Sequence, residues 1–288
     1  MSTITTAWKP ISLDFNSALN DIIQQQHHAI QIIAMAGKHL LPQQEDDSNT
    51  NMFYDAKKQM IIGNELPGGY YLALRLTDMY LVALDKHLQV VKKFALEGKS
   101  KKILFKKTKE MLWAVRINTI PLKNELHYEI PVHALDKNGV FTFDDDRDYL
   151  EVAAYRNNAE VILNEIAEEF HLKGDIRVWP HHFDSGSFIP ISFNKKGELT
   201  KSIGIGFAIP DSMVNEPYFY LSFWSTRSYK GLEHPQPLLI GNWMMPKWNG
   251  GVLKLSDIMK AKSAVVQRQI AHDFFASGLK VIQKHFKF

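Results

Sequence analysis

The sequence predicts an α+β fold: mostly antiparallel sheet covered by three long helices. Three observations predict it. Apolar residues recur at helical spacing over three long stretches. Strand-like segments come in runs punctuated by tight turns. The regular βα alternation of a doubly wound parallel sheet is absent. The 288 residues read as a single domain, 1–288. The order helix, meander, helix recurs in 1–145 and 146–288, as a distant duplication would leave it, although the halves share no obvious residues.

The first helix is expected over 14–41, with Phe15, Leu19, Ile23, Ile30 and Ile33 in its stripe, Asp14 as N-cap and Pro42 as its end. Its polar face, Gln24, Gln25, Gln26, His27 and His28, suits partial burial or a subunit contact. Residues 45–51 read as a mobile surface loop. Strands at 60–62, 70–76 and 80–84 form a meander, extended by 90–96, and a short helix is expected at 108–115. The Asn138 and Gly139 step predicts a hairpin joining 127–134 to 140–143. A second long helix is expected over 147–172, stopped by Gly174. Strands at 176–179, 188–193, 202–209, 218–224 and 251–255 follow, with a tight turn at 194–197. The third long helix is capped by Ser256 and reaches His285.

Composition excludes several classes of function. With 34 basic and 31 acidic side chains, a charge of +3 is too balanced for a polyanionic partner, so no nucleic acid is expected. Cysteine is absent, which removes disulfides, thiolate metal sites and cysteine nucleophiles. The apolar runs are too short to span a membrane, and residues 1–10 lack the basic flank and apolar core of a signal peptide. A cytoplasmic location is therefore expected. The lysines at 99, 101, 102, 106, 107 and 109 read as a solvated edge around a buried 103–105 run. Gly204 and Gly206 lack the third glycine of a dinucleotide loop, so no organic cofactor is evident. Asp144, Asp145 and Asp146 favour the start of the helix behind them through its dipole.

Chemistry concentrates in three places. Trp179, Pro180, His181, His182, Phe183 and Asp184 put two imidazoles, a carboxylate and two aromatics into one short segment. In extended chain His182 and Asp184 share a face and His181 points away. Such a pair can orient a base or supply metal ligands; it can equally pair internally while Trp179 and Phe183 fill core. Downstream stand Asp211, Glu216 and a strand whose alternation puts Tyr218, Tyr220, Ser222 and Trp224 on one face. That face suits a ligand wall or the underside of a helix. Trp243 and Trp248 flank a Pro- and Gly-containing loop that is either a rim or a self-packed turn.

These same motifs, with Ile205, Gly206 and Phe207 leading to Pro210 and Asp211, resemble those of a group of uncharacterised bacterial proteins. Those carry a Trp-Pro-(Glu or His)-His-Phe-Asp stretch and a Glu-Pro-Tyr-x-Tyr strand. Here Ala208 and Ile209 replace the group's Ser and Pro, and no glycine precedes Asp211. The resemblance implies a shared fold and directs attention to His182, Asp184, Asp211 and Glu216. It implies no substrate.

Two functions compete. One is a small-ligand pocket, catalytic or not, in which His182, Asp184 and Glu216 carry acid–base chemistry. Trp179, His181, Tyr218, Tyr220, Trp224, Trp243 and Trp248 would then line the ligand. A divalent metal would fall to His182, Asp184, Glu216 and Asp211. The other is an interaction or self-association module in which the 179–184 segment is structural.

Overall fold

The computed structural model describes residues 7–12 and 14–288; residues 1–6 of the amino-terminal stretch weighed against a signal peptide lie outside them. Contacts divide the chain into two compact units, which do not follow the 1–145 and 146–288 halves. The first comprises Ala18–Ala153 and Arg177–Phe183, the second Met1–Ser17, Ala154–Ile176 and Asp184–Phe288. Among the described residues no helix is long and apolar enough to cross a membrane.

The first unit opens on α1 (Leu19–Leu40). This helix begins without a side-chain cap at Ala18, and Asp14 lies outside it; Asp21 in the first turn complements the dipole instead. Leu41 is extended, as the residue before a proline must be. An antiparallel meander follows: β1 (Met52–Asp55), β2 (Met60–Gly63), β3 (Tyr71–Arg75), β4 (Tyr80–Leu84) and β5 (Val90–Ala95). Strand β1 was not expected. The 45–51 segment ahead of it is also pinned rather than loose. Asn49, Thr50 and Asn51 are buried, and Asn49 Nδ2 donates to the Gly37 carbonyl at 3.2 Å. Only glycine permits that approach, since a Cβ at 37 would lie 2.1 Å from the Asn49 carbonyl oxygen.

Helix α2 (Lys101–Ala114) starts well before the expected 108, because the Ser100 hydroxyl accepts from the Ile103 amide. Lys101, Lys102, Lys106, Lys107 and Lys109 therefore ride on a helix and not a sheet edge, with Lys99 just ahead of it; Leu104 is buried but Ile103 is 41% exposed. The expected hairpin also gives way. Residues 134–137 form a 3₁₀ turn, closed by Asn138 at φ 67° and by the Gly139 amide donating to Ala134 O at 3.0 Å. The Asn and Gly residues end that turn instead of joining two strands. Helix α3 (Asp146–Glu169) follows; its carboxyl end carries a left-handed His171 (φ 53°), so His171 and not Gly174 makes the stop. Strand β6 (Arg177–Trp179) pairs with β1.

The second unit holds β7 (Asp184–Phe193), β8 (Leu199–Ala208), β9 (Tyr218–Ser225), the short α4 (Lys230–Glu233), β10 (Asn242–Trp243), β11 (Gly250–Lys254), α5 (Leu255–Met259) and α6 (Ala264–Phe286). Its strands run antiparallel in the order β10, β11, β9, β8, β7. The expected third helix is broken into α5 and α6. Ser256 gives its hydroxyl and amide to Glu216, while Ser263 caps α6 by accepting from the Val266 amide. Alternation then sorts the sheet. Ile203, Ile205, Phe207, Phe219 and Leu221 are buried, with Phe219 5.9 Å from Phe275 of α6. The opposite face, carrying the even-numbered residues, is less covered.

Gly37→Ala forces a methyl into the Asn49 backbone. It is expected to cost about 1–3 kcal/mol, the range for overpacking, read as a lower urea midpoint; an unchanged midpoint would contradict the pinned 45–51 segment.

Candidate functional site

The 179–184 segment is a tight turn, not extended chain. The Phe183 amide donates to the Trp179 carbonyl at 2.7 Å, and Phe183 is left-handed at φ 53°. The expected same-face pairing of His182 with Asp184 by strand alternation therefore does not apply. Phe183 is fully buried, its ring stacked on His27 at 5.4 Å and 5°. The Pro180 carbonyl accepts from His27 Nε2 at 2.9 Å and from Gln31 Nε2 at 2.8 Å. A carbonyl can only accept, so the His27 proton sits on Nε2. Tyr128 donates to Gln31 Oε1 at 2.9 Å, and its ring meets the edge of His181. Trp179 and His182 also flank His181, with His182 exposed. The α1 polar face is thus buried inside this unit rather than offered to a second subunit: Gln25, Gln26, His27, His28 and Gln31 are all at most 3% exposed.

His28 is the titratable centre of this unit. Its Nε2 donates to Pro131 O at 3.1 Å, so Nδ1 is free to accept from Lys101 Nζ at 3.2 Å. Burial, reinforced by the Lys101 ammonium, lowers its pKa from 6.5 to about 4. The unfolded chain therefore binds the proton first, and His28 contributes stability above pH 6.5 that is lost as pH falls toward about 4.

In the second unit the candidate carboxylates are held in separate local interactions. Glu216 accepts from the Ser256 amide at 2.8 Å and hydroxyl at 3.0 Å, anchoring α5. Asp211 closes its own turn by accepting from the Met213 and Val214 amides, and its Oδ2 accepts from Tyr218 at 2.7 Å. Asp184 Oδ2 accepts from Tyr220 at 2.6 Å, while its buried Oδ1 has no hydrogen-bond partner among the described residues. Burial and the neighbouring carboxylates raise the pKa of both tyrosines, so both hydroxyls remain donors at neutral pH. Among the described residues no three His, Asp or Glu side chains group as metal ligands.

The even-numbered face of the sheet is where a binding surface forms. Register places Tyr220 opposite Gly206, and Gly206 opposite Gly186. With no side chain on either glycine, the Tyr220 ring lies flat across both strands and reaches Asp184. A Cβ at Gly206 would stand 2.3 Å from Tyr220 Cζ, and one at Gly186 2.6 Å from its hydroxyl. The next row runs Phe188, Gly204, Ser222, Gly250, and the one after it Pro190, Ser202, Trp224. Residues with little or no side chain thus sit between large rings.

Those rows enclose a cavity of about 440 Å³. Ser202, Gly204 and Ser222 make its floor; Phe188 and Trp224 stand beside it, 58% and 46% exposed. The 246–249 loop closes the other side with Lys247, Trp248 and Asn249. Trp248 sits over Gly250, where a Cβ would meet its ring at 2.3 Å, and packs edge-on to Tyr220. Of the expected ligand residues, Trp224 and Trp248 line this cavity and Tyr220 sets its neighbouring row. Trp243 does not line it: its Nε1 donates to Gln236 O and its ring meets Phe223. Ser222, expected on the same face as Trp224, lines the cavity too, whereas Phe188, Ser202, Gly204 and Lys247 went unrecognised as lining. Their signal was the Gly-x-Gly spacing within a strand, which marks close approach. No protein-family model, no curated protein and no solved structure matches this chain.

Two outcomes are expected. Tyr220→Phe leaves Asp184 with neither oxygen partnered and should cost about 1–3 kcal/mol in urea unfolding; a loss below about 0.5 kcal/mol, the scale of a neutral surface change, contradicts the geometry. Between pH 6.5 and 4 the urea midpoint should fall less steeply in His28→Asn than in the parent, and parallel profiles would contradict the assignment to His28.

Proposed function

We propose that the second unit binds a small molecule with a flat ring face, seated on the Ser202, Gly204 and Ser222 floor. One observation carries this reading: small residues alternate along adjacent strands beneath three aromatic side chains, Phe188, Trp224 and Trp248. Solvent-exposed rings around a floor of hydroxyls give stacking area and orienting hydrogen bonds together. The volume, about 440 Å³, falls in the range of small-ligand sites. No carboxylate lines the cavity and Lys247 does, which favours a neutral or anionic ligand over a cation.

The reading is one of binding, with no reaction assigned. Asp184 serves it as a positioning residue, holding Tyr220 against Trp248, while Asp211 and Glu216 hold Tyr218 and the start of α5. His182 and the rest of the 179–183 turn have a structural part in this proposal, as do the buried glutamines of α1.

Tryptophan fluorescence tests it, with adenosine and glucose as flat aromatic and saturated ring probes. At least one is expected to quench the parent protein saturably. Trp224→Ala and Trp248→Ala should each weaken that binding ~10-fold or more, the scale of a lost stacking partner, while Trp179→Phe leaves it unchanged. Silence with both rings, or undiminished binding in both alanine variants, would overturn the proposal.

A further inference from the structure

Two hydroxyls on the cavity floor have work left to do. Ser202 is 4% exposed and lines the cavity, yet its hydroxyl makes no hydrogen bond to another of the described residues. A polar group so enclosed is costly to leave unpaired, and a ligand that bonds to it recovers that cost. The Ser222 hydroxyl also lines the cavity unbonded among the described residues. It leans across to β8, since a Cβ at Gly204 would lie 2.5 Å from Ser222 Oγ. Ser202 and Gly204 are two residues apart on β8, so the two hydroxyls stand about 7 Å apart along that strand. The main chain beneath them is already engaged: Gly204 pairs with Phe188 and Ser222, and Ser222 pairs with Gly204 and Gly250. On the floor, then, these two hydroxyls are what meets a ligand's polar groups, with Asn249 and Lys247 exposed at the rim.

Resting on the ring-binding reading above, we propose that the ligand is a neutral oligosaccharide of two or three sugar rings, lying over β8 with its hydroxyls on Ser202 and Ser222. Two features favour it over a nucleobase. The first is the polar pattern. A serine hydroxyl both donates and accepts, as does each hydroxyl of a sugar, so many edges of a pyranose satisfy the pair. A base edge carries fixed donors and acceptors, best met by planar amide, carboxylate or guanidinium groups. The floor holds none of these. The second feature is span. Phe188 and Trp224 rise from β7 and β9, two strand spacings or about 9.5 Å apart. A single ring lying on the floor covers only part of that width, whereas linked rings can each lay a C–H face on one aromatic side chain. Trp248, over Gly250 on the next strand, extends the row to a third.

Isothermal titration with glucose, maltotriose, cellotriose and adenosine tests the inference. At least one trisaccharide should bind ~10-fold or more tightly than glucose, the scale of an added stacking contact. Ser202→Ala and Ser222→Ala should each weaken that trisaccharide about 5-fold, the scale of one hydrogen bond. Neither should lower the urea midpoint, because neither hydroxyl holds anything in the free protein. If adenosine binds and no saccharide does, or if glucose binds and neither trisaccharide binds more tightly, the oligosaccharide assignment fails and the ring-binding reading stands. Undiminished trisaccharide affinity in both serine variants, or a lowered urea midpoint in Ser202→Ala, overturns the assignment too, since it needs both hydroxyls free for the ligand. If none of the four compounds binds, both readings fail.

Discussion

The second unit is organised around one constraint: the Tyr220 ring must lie flat across two neighbouring strands to reach Asp184. That requires Gly206 and Gly186 to stand in register with it, because any Cβ there would intrude on the ring. Once the ring is down, its hydroxyl meets a carboxylate two positions from Gly186 on the same face. The same register carries the next rows, in which Gly204, Ser202 and Ser222 keep the floor low between Phe188 and Trp224. A half-open sheet face would ordinarily be a liability; here it becomes a walled depression. The opposite face packs against α6, Phe219 on Phe275 and Phe223 on Phe286.

The first unit is organised by satisfaction of buried polar groups. Helix α1 buries glutamine and histidine side chains that each need a partner. The Pro180 carbonyl answers two of them, the Leu76 carbonyl accepts from Gln26, and Thr142 both donates to and accepts from Gln25. Phe183 contributes its buried ring against His27. This is why a segment so rich in imidazole and aromatic groups makes a docked turn. Its Pro180 carbonyl and Phe183 ring hold the turn to the helix, while His182 stays exposed.

Much of the architecture was legible because it rests on periodicity. Most strands and the helices α1, α3 and α6 lie near the apolar repeats that announce them, with ends displaced where capping decided otherwise. Ser256 looked like a cap but was taken by Glu216, and Ser263 capped instead. The Asn138 and Gly139 step has the chemistry of a hairpin turn, yet only tertiary context decides whether such a step joins strands or closes a 3₁₀ turn. The candidate site was half legible. Alternation placed Tyr218, Tyr220, Ser222 and Trp224 on one face, as found. It could not show that the partners opposite Tyr220 and Ser222 would be glycines, because register between strands is not written in either strand alone. The 179–184 turn was misjudged because alternation was applied to a segment with a left-handed residue, Phe183, that no composition rule anticipates.

The central claim is that the even-numbered face of β7, β8 and β9, with the 246–249 loop, is where this protein meets a small ring ligand. Indole N–H resonances separate the six tryptophans and report position directly. In a titration with adenosine or glucose followed by two-dimensional proton–nitrogen spectroscopy, the Trp224 and Trp248 signals should move together and saturate at one affinity. Those of Trp179 and Trp243 should stay in place. Movement confined to Trp179, or no saturable movement at Trp224 and Trp248 with either ring, would contradict the account.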